Sequence, residues 1–486
     1  MAAMSAFEIK TLSAEIASGK RSAEDVTREC IRRIERDNGR LHAVIAVDPD
    51  AIDQARKLDR ECAEHGTCGP LHGVPLLVKD NIETAGRLPT TAGSLALADN
   101  VTGRDAHVVA QLRAAGAVIL GKANLSEWAN FRSTMSVSGW SAVGGQTVNA
   151  HDPTRSPCGS SSGSAVAVAA RMVPAAIGTE TDGSIVCPAS INGIVGLKPT
   201  VGLVSRSGVV PIAGSQDTAG PMANTVADCA LLLSAMTAND EGDPGMLVAS
   251  GHHGRNYFGF IEQADREPGL EKFRLGVVKG IGRFHPECDA LLAAAVDRLR
   301  ALGATIVPDL ELKLPDGYRE ASFQVLLYEF KQGIDAYLRT LPSTPHLDLD
   351  ALIRFNRERA KDEMAYFGQD IFDQAAGKRA SDGEAYGKAA LFVQEATRRD
   401  GIDRLIGEHQ LSALVGITSG PAWSIDTVNG DRNVGSCSTF AAVAGYPHIT
   451  LPMGSVRGLP IGLSIYGRAF AEPALFGIAH RFERSR

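Results

Sequence analysis

The chain has 486 residues, 44% of them apolar and 22% charged, and a formal net charge of −7 at pH 7. This is the balance of a globular protein with an extensive core, long enough for one large or two ordinary domains. Charges of both signs are interspersed without a basic stripe, so no nucleic-acid partner is expected; no run of about 18 apolar residues offers a membrane span.

Residues 5–40 read as two helices, the second opened by Ser22 with Asp25 three residues on and with Val26, Cys30, Ile31 and Ile34 along one face. No basic segment followed by an apolar one stands at the start, so no signal peptide is visible and a cytoplasmic location is expected, with export left open for a trimmed chain. A further helix is expected over 50–65. From about 69 to 222 the chain turns rich in Gly and Ser, with short apolar runs at 74–78, 117–120 and 175–177 of the length of buried strands. Helical stretches at 106–115 and 164–173 separate them, and such alternation favours an α/β sheet. About 240–410 is more helical and charged, notably at 291–302 and 321–338, and about 412–483 returns to strand-like runs. The simplest reading is one domain whose sheet is built from the middle and the end of the chain, with a mostly helical segment inserted. Eight cysteines (Cys30, Cys62, Cys68, Cys158, Cys187, Cys229, Cys288 and Cys437) show no C-x-x-C and no zinc-like spacing. The plain reading is free thiols in a reducing cytosol; a disulfide or two in an exported protein is the alternative.

Three short segments hold residues suited to chemistry. In GVPLLVKDNI (73–82) an apolar run ends in Lys79. Burial disfavours an ammonium, lowering its pKa by as much as about 3–5 units, and an amine that is neutral near pH 7 is a general base. An ordinary strand-end lysine paired with Asp80 fits the segment as well. In CGSSSGSAVAVAA (158–170), Ser160, Ser161 and Ser162 precede an Ala-rich helix. The first N–H groups of that helix lack intrahelical partners, and a plain serine N-cap is the competing reading. In GTETDGSIVCPA (178–189), Ser184 lies on a glycine-containing turn whose own N–H groups are available to an oxyanion, or is another N-cap.

In this order the segments resemble the amidase signature family. There the motifs matching 159–164 and 181–184 supply two serines 24 residues apart, as Ser160 and Ser184 are here, and a lysine in a Lys-Asp-Asn context, here Lys79. The resemblance continues through GKANLSEWANF (121–131), 196–211, QDTAGP (216–221), 444–454 and 458–467, and thins over 240–400. Within the family the chain is most similar to the peptide amidases, which remove the amide from a peptide's C-terminus; LLYEFK (326–331) belongs to that likeness. The resemblance implies an α/β fold: a single amidase-signature domain over 1–486, with a central mixed twisted β-sheet covered by helices on both faces. It implies Ser184 as nucleophile, Ser160 as bridge after a cis peptide bond from Gly159, and Lys79 as base. Backbone N–H groups of Thr181, Asp182, Gly183 and Ser184 would form the oxyanion hole, and Ser161 would support the loop. Neither metal nor cofactor is implied. The substrate is a small amide or a peptide amide, in a pocket shaped by 240–410; oligomeric state is left open.

Two departures from the usual pattern stand out: Cys158 and Ser162 replace glycines of Gly-Gly-Ser-Ser-Gly-Gly-Ser, and Asp182 replaces the first glycine of Thr-Gly-Gly-Ser. A carboxylate beside a developing oxyanion would oppose it, so the Asp182 side chain is expected to point away. Rival readings are an amidase of aryl or aliphatic amides, an amidotransferase component supplying ammonia to a tRNA-linked carboxylate, and an inactive scaffold. Residues 159–163 also fit G-x-S-x-G, with Ser161 and the late His480 as an α/β-hydrolase pair. Residues 116–122 spell G-x-x-x-x-G-K, but their apolar middle reads as a strand. Trp128 and Tyr328 are read as packing residues rather than cleft lining.

Overall fold

The apolar runs of the first half form β1 (Val44–Val47), β2 (Pro75–Lys79), β3 (Val118–Ala123), β4 (Ala175–Glu180), β5 (Val195–Lys198) and β6 (Thr218–Ala223). Those of the second half form β7 (Arg274–Lys279), β8 (Thr305–Glu311), β9 (Ala413–Ile417), β10 (His448–Val456) and β11 (Leu459–Tyr466). All lie in one sheet, ordered β1-β3-β2-β4-β6-β5-β10-β11-β9-β7-β8, in a computed structural model that describes residues 7–267, 269–279, 285–342, 347–432 and 435–485. β2 runs parallel to both β3 and β4, and β7 runs parallel to both β8 and β9. The pairs between these two wings are antiparallel, so the sheet is mixed.

Every residue of β2 to β6 is buried. Successive side chains on a strand point to opposite faces, so complete burial requires cover on both, which the flanking helices supply. Ser22 caps its helix as expected, its hydroxyl accepting from Asp25 N–H at 2.9 Å. β5 from the middle of the chain pairs with β10 from its end, joining the two parts into a single domain.

The 240–410 stretch is less purely helical than its composition predicts, because it places β7 and β8 at one edge of the sheet. β8 is largely exposed and carries Pro308 and Asp309, the latter at φ 59°. An edge strand tolerates such residues, but they erase its signal in the sequence. The helices Tyr318–Leu338, Leu349–Glu358 and Asp370–Ala376 form an apolar cluster of their own, in which Phe330, Leu352 and Phe372 pack with Trp128 and Phe131. Trp128 meets Phe372 edge-on at 5.6 Å between ring centroids, and Tyr328 stacks on Tyr386 at 4.5 Å, so both are packing residues. Beneath this cluster the fully buried Arg132 donates to Glu127 and to the backbone carbonyl of Glu363, tying the inserted helices to the loop after β3. No described helix is long and apolar enough to cross a membrane.

Candidate active site

β2 and β4 are parallel neighbours, and their carboxyl ends deliver Lys79 and Thr179 to one place, where open α/β sheets commonly bind ligands. Lys79 Nζ is fully buried, 2.7 Å from Ser160 Oγ, 2.8 Å from Thr179 Oγ1 and 3.3 Å from the Thr179 carbonyl. Asp80 does not pair with it: its carboxylate accepts from the Thr91 hydroxyl and lies 3.9 Å from Lys122 Nζ. Burial pushes Lys79 down to about 7, against the upward pull of the Asp217 and Glu180 carboxylates.

Ser160 follows a cis peptide bond from Gly159. A Cβ on Gly159 would run into the Ser126 hydroxyl and force it to shift. Ser161, next in line, donates its hydroxyl to the Thr179 carbonyl at 3.0 Å and accepts from Thr179 N–H at 3.2 Å. Its backbone N–H donates to the Ser184 carbonyl at 3.1 Å, which binds the two serine-bearing segments together. The helix Ser162–Ala169 that follows has no side-chain cap from Ser161.

Ser184 stands on a turn that needs glycine, since Gly183 has φ 84°. The turn is organised by Glu180, which sequence reasoning missed. One Glu180 oxygen accepts from Gly183 N–H at 2.9 Å, the other from Ile185 and Val186 N–H at 2.8 and 3.0 Å. An acidic residue a few positions before a helix start was the available signal, because a carboxylate there is suited to orphan N–H groups. Of the four amides expected to meet an oxyanion, that of Gly183 is therefore engaged. Among the described residues, those of Thr181, Asp182 and Ser184 have no protein acceptor. Asp217, also unassigned from sequence, accepts from the Thr181 hydroxyl at 2.6 Å and from Ile212 and Ala213 N–H. The Asp182 carboxylate is held by Ser438 and Thr439 hydroxyls at 2.5 and 2.9 Å, engaged by another segment rather than by its own turn.

Ser184 is 9% exposed and lines a cavity of about 400 Å³ together with Gly159, Thr181, Phe131, Trp423 and, from the inserted helices, Leu326. Among the described residues its hydroxyl has no hydrogen-bond partner. The α/β-hydrolase pairing does not form: His480 pairs with Asp265 at 3.0 Å, and the Ser161 hydroxyl is occupied by the Thr179 backbone. Residues 116–122 make no phosphate loop, because they run into β3, where Lys122 is buried against the Ile82 carbonyl and Thr90.

The cysteine expectation needs correction. Cys158 and Cys187 form a disulfide; the other six are free. Residues 29 apart carry no pairing signal in sequence; the fold pairs them by laying the loop before Ser160 against the helix Val186–Asn192. Disulfides belong to oxidising compartments, so the thiol argument for a cytosolic protein lapses.

The Amidase family profile matches residues 25–476. This chain belongs to the amidase family. Native peptide amidase from Stenotrophomonas maltophilia superposes on this amidase with a TM-score of 0.92 at 45% identity, over 98% of this chain and 96% of that one. The peptide amidase PAM in complex with the competitive inhibitor chymostatin gives 0.93 at 45% identity, over 98% and 97%. A glutamyl-tRNA(Gln) amidotransferase subunit from Ralstonia nicotianae is 36% identical over 99% of this chain and 98% of its own length. The protein is thus a hydrolase of amides, close in structure to peptide amidase.

Proposed function

We propose that this amidase removes the C-terminal carboxamide of peptides through an acyl-enzyme, with Ser184 as nucleophile, Ser160 as bridging hydroxyl and Lys79 as base. The observation that carries the reading is the 2.7 Å approach of a buried amine, drawn down to about 7, to a serine on the loop bonded to Ser184. A serine hydroxyl is a weak nucleophile until a base takes its proton. Lys79, uncharged, accepts the proton of Ser160 as Ser160 accepts that of Ser184. Ser184 Oγ then bonds to the amide carbon, and the carbonyl electron pair moves onto oxygen.

The free amides of Thr181, Asp182 and Ser184 are the donors for that oxyanion, and losing one such donor typically costs about 2.7–4 kcal/mol. The Gly183 amide serves the turn instead, through Glu180. As the tetrahedral centre collapses, the C–N bond breaks and the proton returns through Ser160 to the nitrogen, which leaves as ammonia. Water repeats the sequence on the ester. Ser161 supports the loop through Thr179. No step calls for a metal or cofactor.

The peptide preference is supported by the 45% likeness to peptide amidases across 98% of the chain and by apolar cavity walls at Phe131, Leu326 and Trp423, suited to an acyl chain. Purified protein given a blocked dipeptide amide, with no partner added, is expected to release ammonia and leave the internal bond intact. Release from aryl or aliphatic amides alone would move the assignment to a general amidase. Release only with partner proteins present would favour the amidotransferase reading that the 36% relative raises.

A further inference from the structure

Beyond the two hydrogen bonds between Ser161 and Thr179, the segments that carry Ser160 and Ser184 are joined at three places. Ser161 N–H donates to the Ser184 carbonyl at 3.1 Å, Asn192 Nδ2 donates to the Pro157 carbonyl at 2.9 Å, and between them stands the Cys158–Cys187 disulfide. Cys158 lies two residues before Ser160 and adopts φ 56°, a left-handed conformation that side-chain-bearing residues disfavour. Cys187 lies three residues after Ser184, in the first turn of the helix Val186–Asn192, its N–H donating to the Gly183 carbonyl at 2.8 Å. Both cysteines line the cavity beside Gly159 and Ser184. They also pack with Trp423, a further cavity wall, whose indole N–H donates to Asp431 at 2.9 Å.

We propose that this disulfide is a positioning element of the reaction, holding Ser160 and Ser184 in register and bracing the Trp423 wall against which the acyl group lies, so that opening it switches turnover off while the fold persists. The inference rests on the roles proposed above for the two serines. Without the covalent tie, the hydrogen bonds and a buried core still hold the segments in place. That preserves the fold, but it relaxes the sub-ångström placement on which nucleophilic attack depends. The cavity gives a small dithiol a route to the bond, and a bound substrate covers it. Opening takes two electrons and two protons from a reagent such as dithiothreitol, which closes to its cyclic disulfide and leaves two protein thiols.

Folded protein is reduced with dithiothreitol and alkylated with iodoacetamide. Alkylation at 158 and 187 is confirmed by peptide mass, and an alkylated, unreduced sample controls for Cys62 and Cys68 outside the core. We expect kcat for ammonia release to fall by about ten- to a hundred-fold. Labelling of Ser184 by a fluorophosphonate should slow in parallel, the far-UV spectrum should be unchanged, and saturating substrate should retard reduction. The Cys158→Ser/Cys187→Ser double variant should behave alike; if it does not fold, the reduced wild type decides. Wild-type kcat, KM and labelling rate in the opened protein would overturn the inference. Failure of the parent reading looks different: the oxidised protein would then carry no label on Ser184 at all.

Discussion

Lys79 Nζ lies 2.7 Å from Ser160 Oγ, and among the described residues it forms no ion pair. An amine walled off from water with only hydroxyl and carbonyl partners gains little from being charged, and burial holds it near neutrality at physiological pH.

The pH dependence follows with a definite sign. Below about 7, Lys79 holds a proton and cannot accept another; above it, the base is free. kcat/KM should climb about ten-fold per pH unit on the acid side and level off once the amine is neutral. A profile that is flat or falls between pH 5 and 9 would remove Lys79 as the titrating base.

Replacing the amine while keeping its stem separates chemistry from packing. Lys79→Met should lower kcat by about 10²–10⁴-fold. Its melting temperature should change little, because relief of the amine's desolvation cost offsets the hydrogen bonds lost by Ser160 and Thr179. Loss of activity accompanied by a clear drop in melting temperature would assign Lys79 to scaffolding.

The serines are distinguishable from one another. Ser184→Ala should abolish turnover and fluorophosphonate labelling with the fold intact. Ser161→Ala should leave Ser184 reactive but destabilise the protein by about 1–3 kcal/mol, because buried Thr179 backbone groups lose a partner. Labelling of Ser161 in the wild type would reverse the assignment.

Glu180 affects both the turn and the base. An amide at 180 cannot accept from all of Gly183, Ile185 and Val186, so Glu180→Gln should cost about 1–3 kcal/mol in stability and reduce kcat. Since the carboxylate favours the charged form of Lys79, its removal should also shift the acid limb of the profile to lower pH. A limb that stays put or moves up would show that Glu180 acts only through the turn.

Much of this arrangement was legible in the chain. The apolar runs at 74–78 and 175–177 announced β2 and β4, and the Gly/Ser loops flanking them marked the site, because buried strands and tight turns impose composition locally. β7 and β8 were hidden: one is bracketed by Arg274 and Lys279, the other is an edge strand holding Pro308. Asp217 and the Cys158–Cys187 bond were also unreadable, and Glu180 left only the mark of an acid a few positions before a helix start. Each acts through backbone amides or a partner brought near only by folding, and none leaves a periodic mark on the sequence.

The central claim is the charge state of one buried amine, and NMR titration of lysine Cε in the Ser184→Ala protein, with the Lys79→Met/Ser184→Ala difference assigning the signal, measures it directly. The account predicts that Lys79 titrates at about 7, apart from the other lysines. A Lys79 signal that titrates with them near the ordinary lysine value of about 10.4 would contradict it.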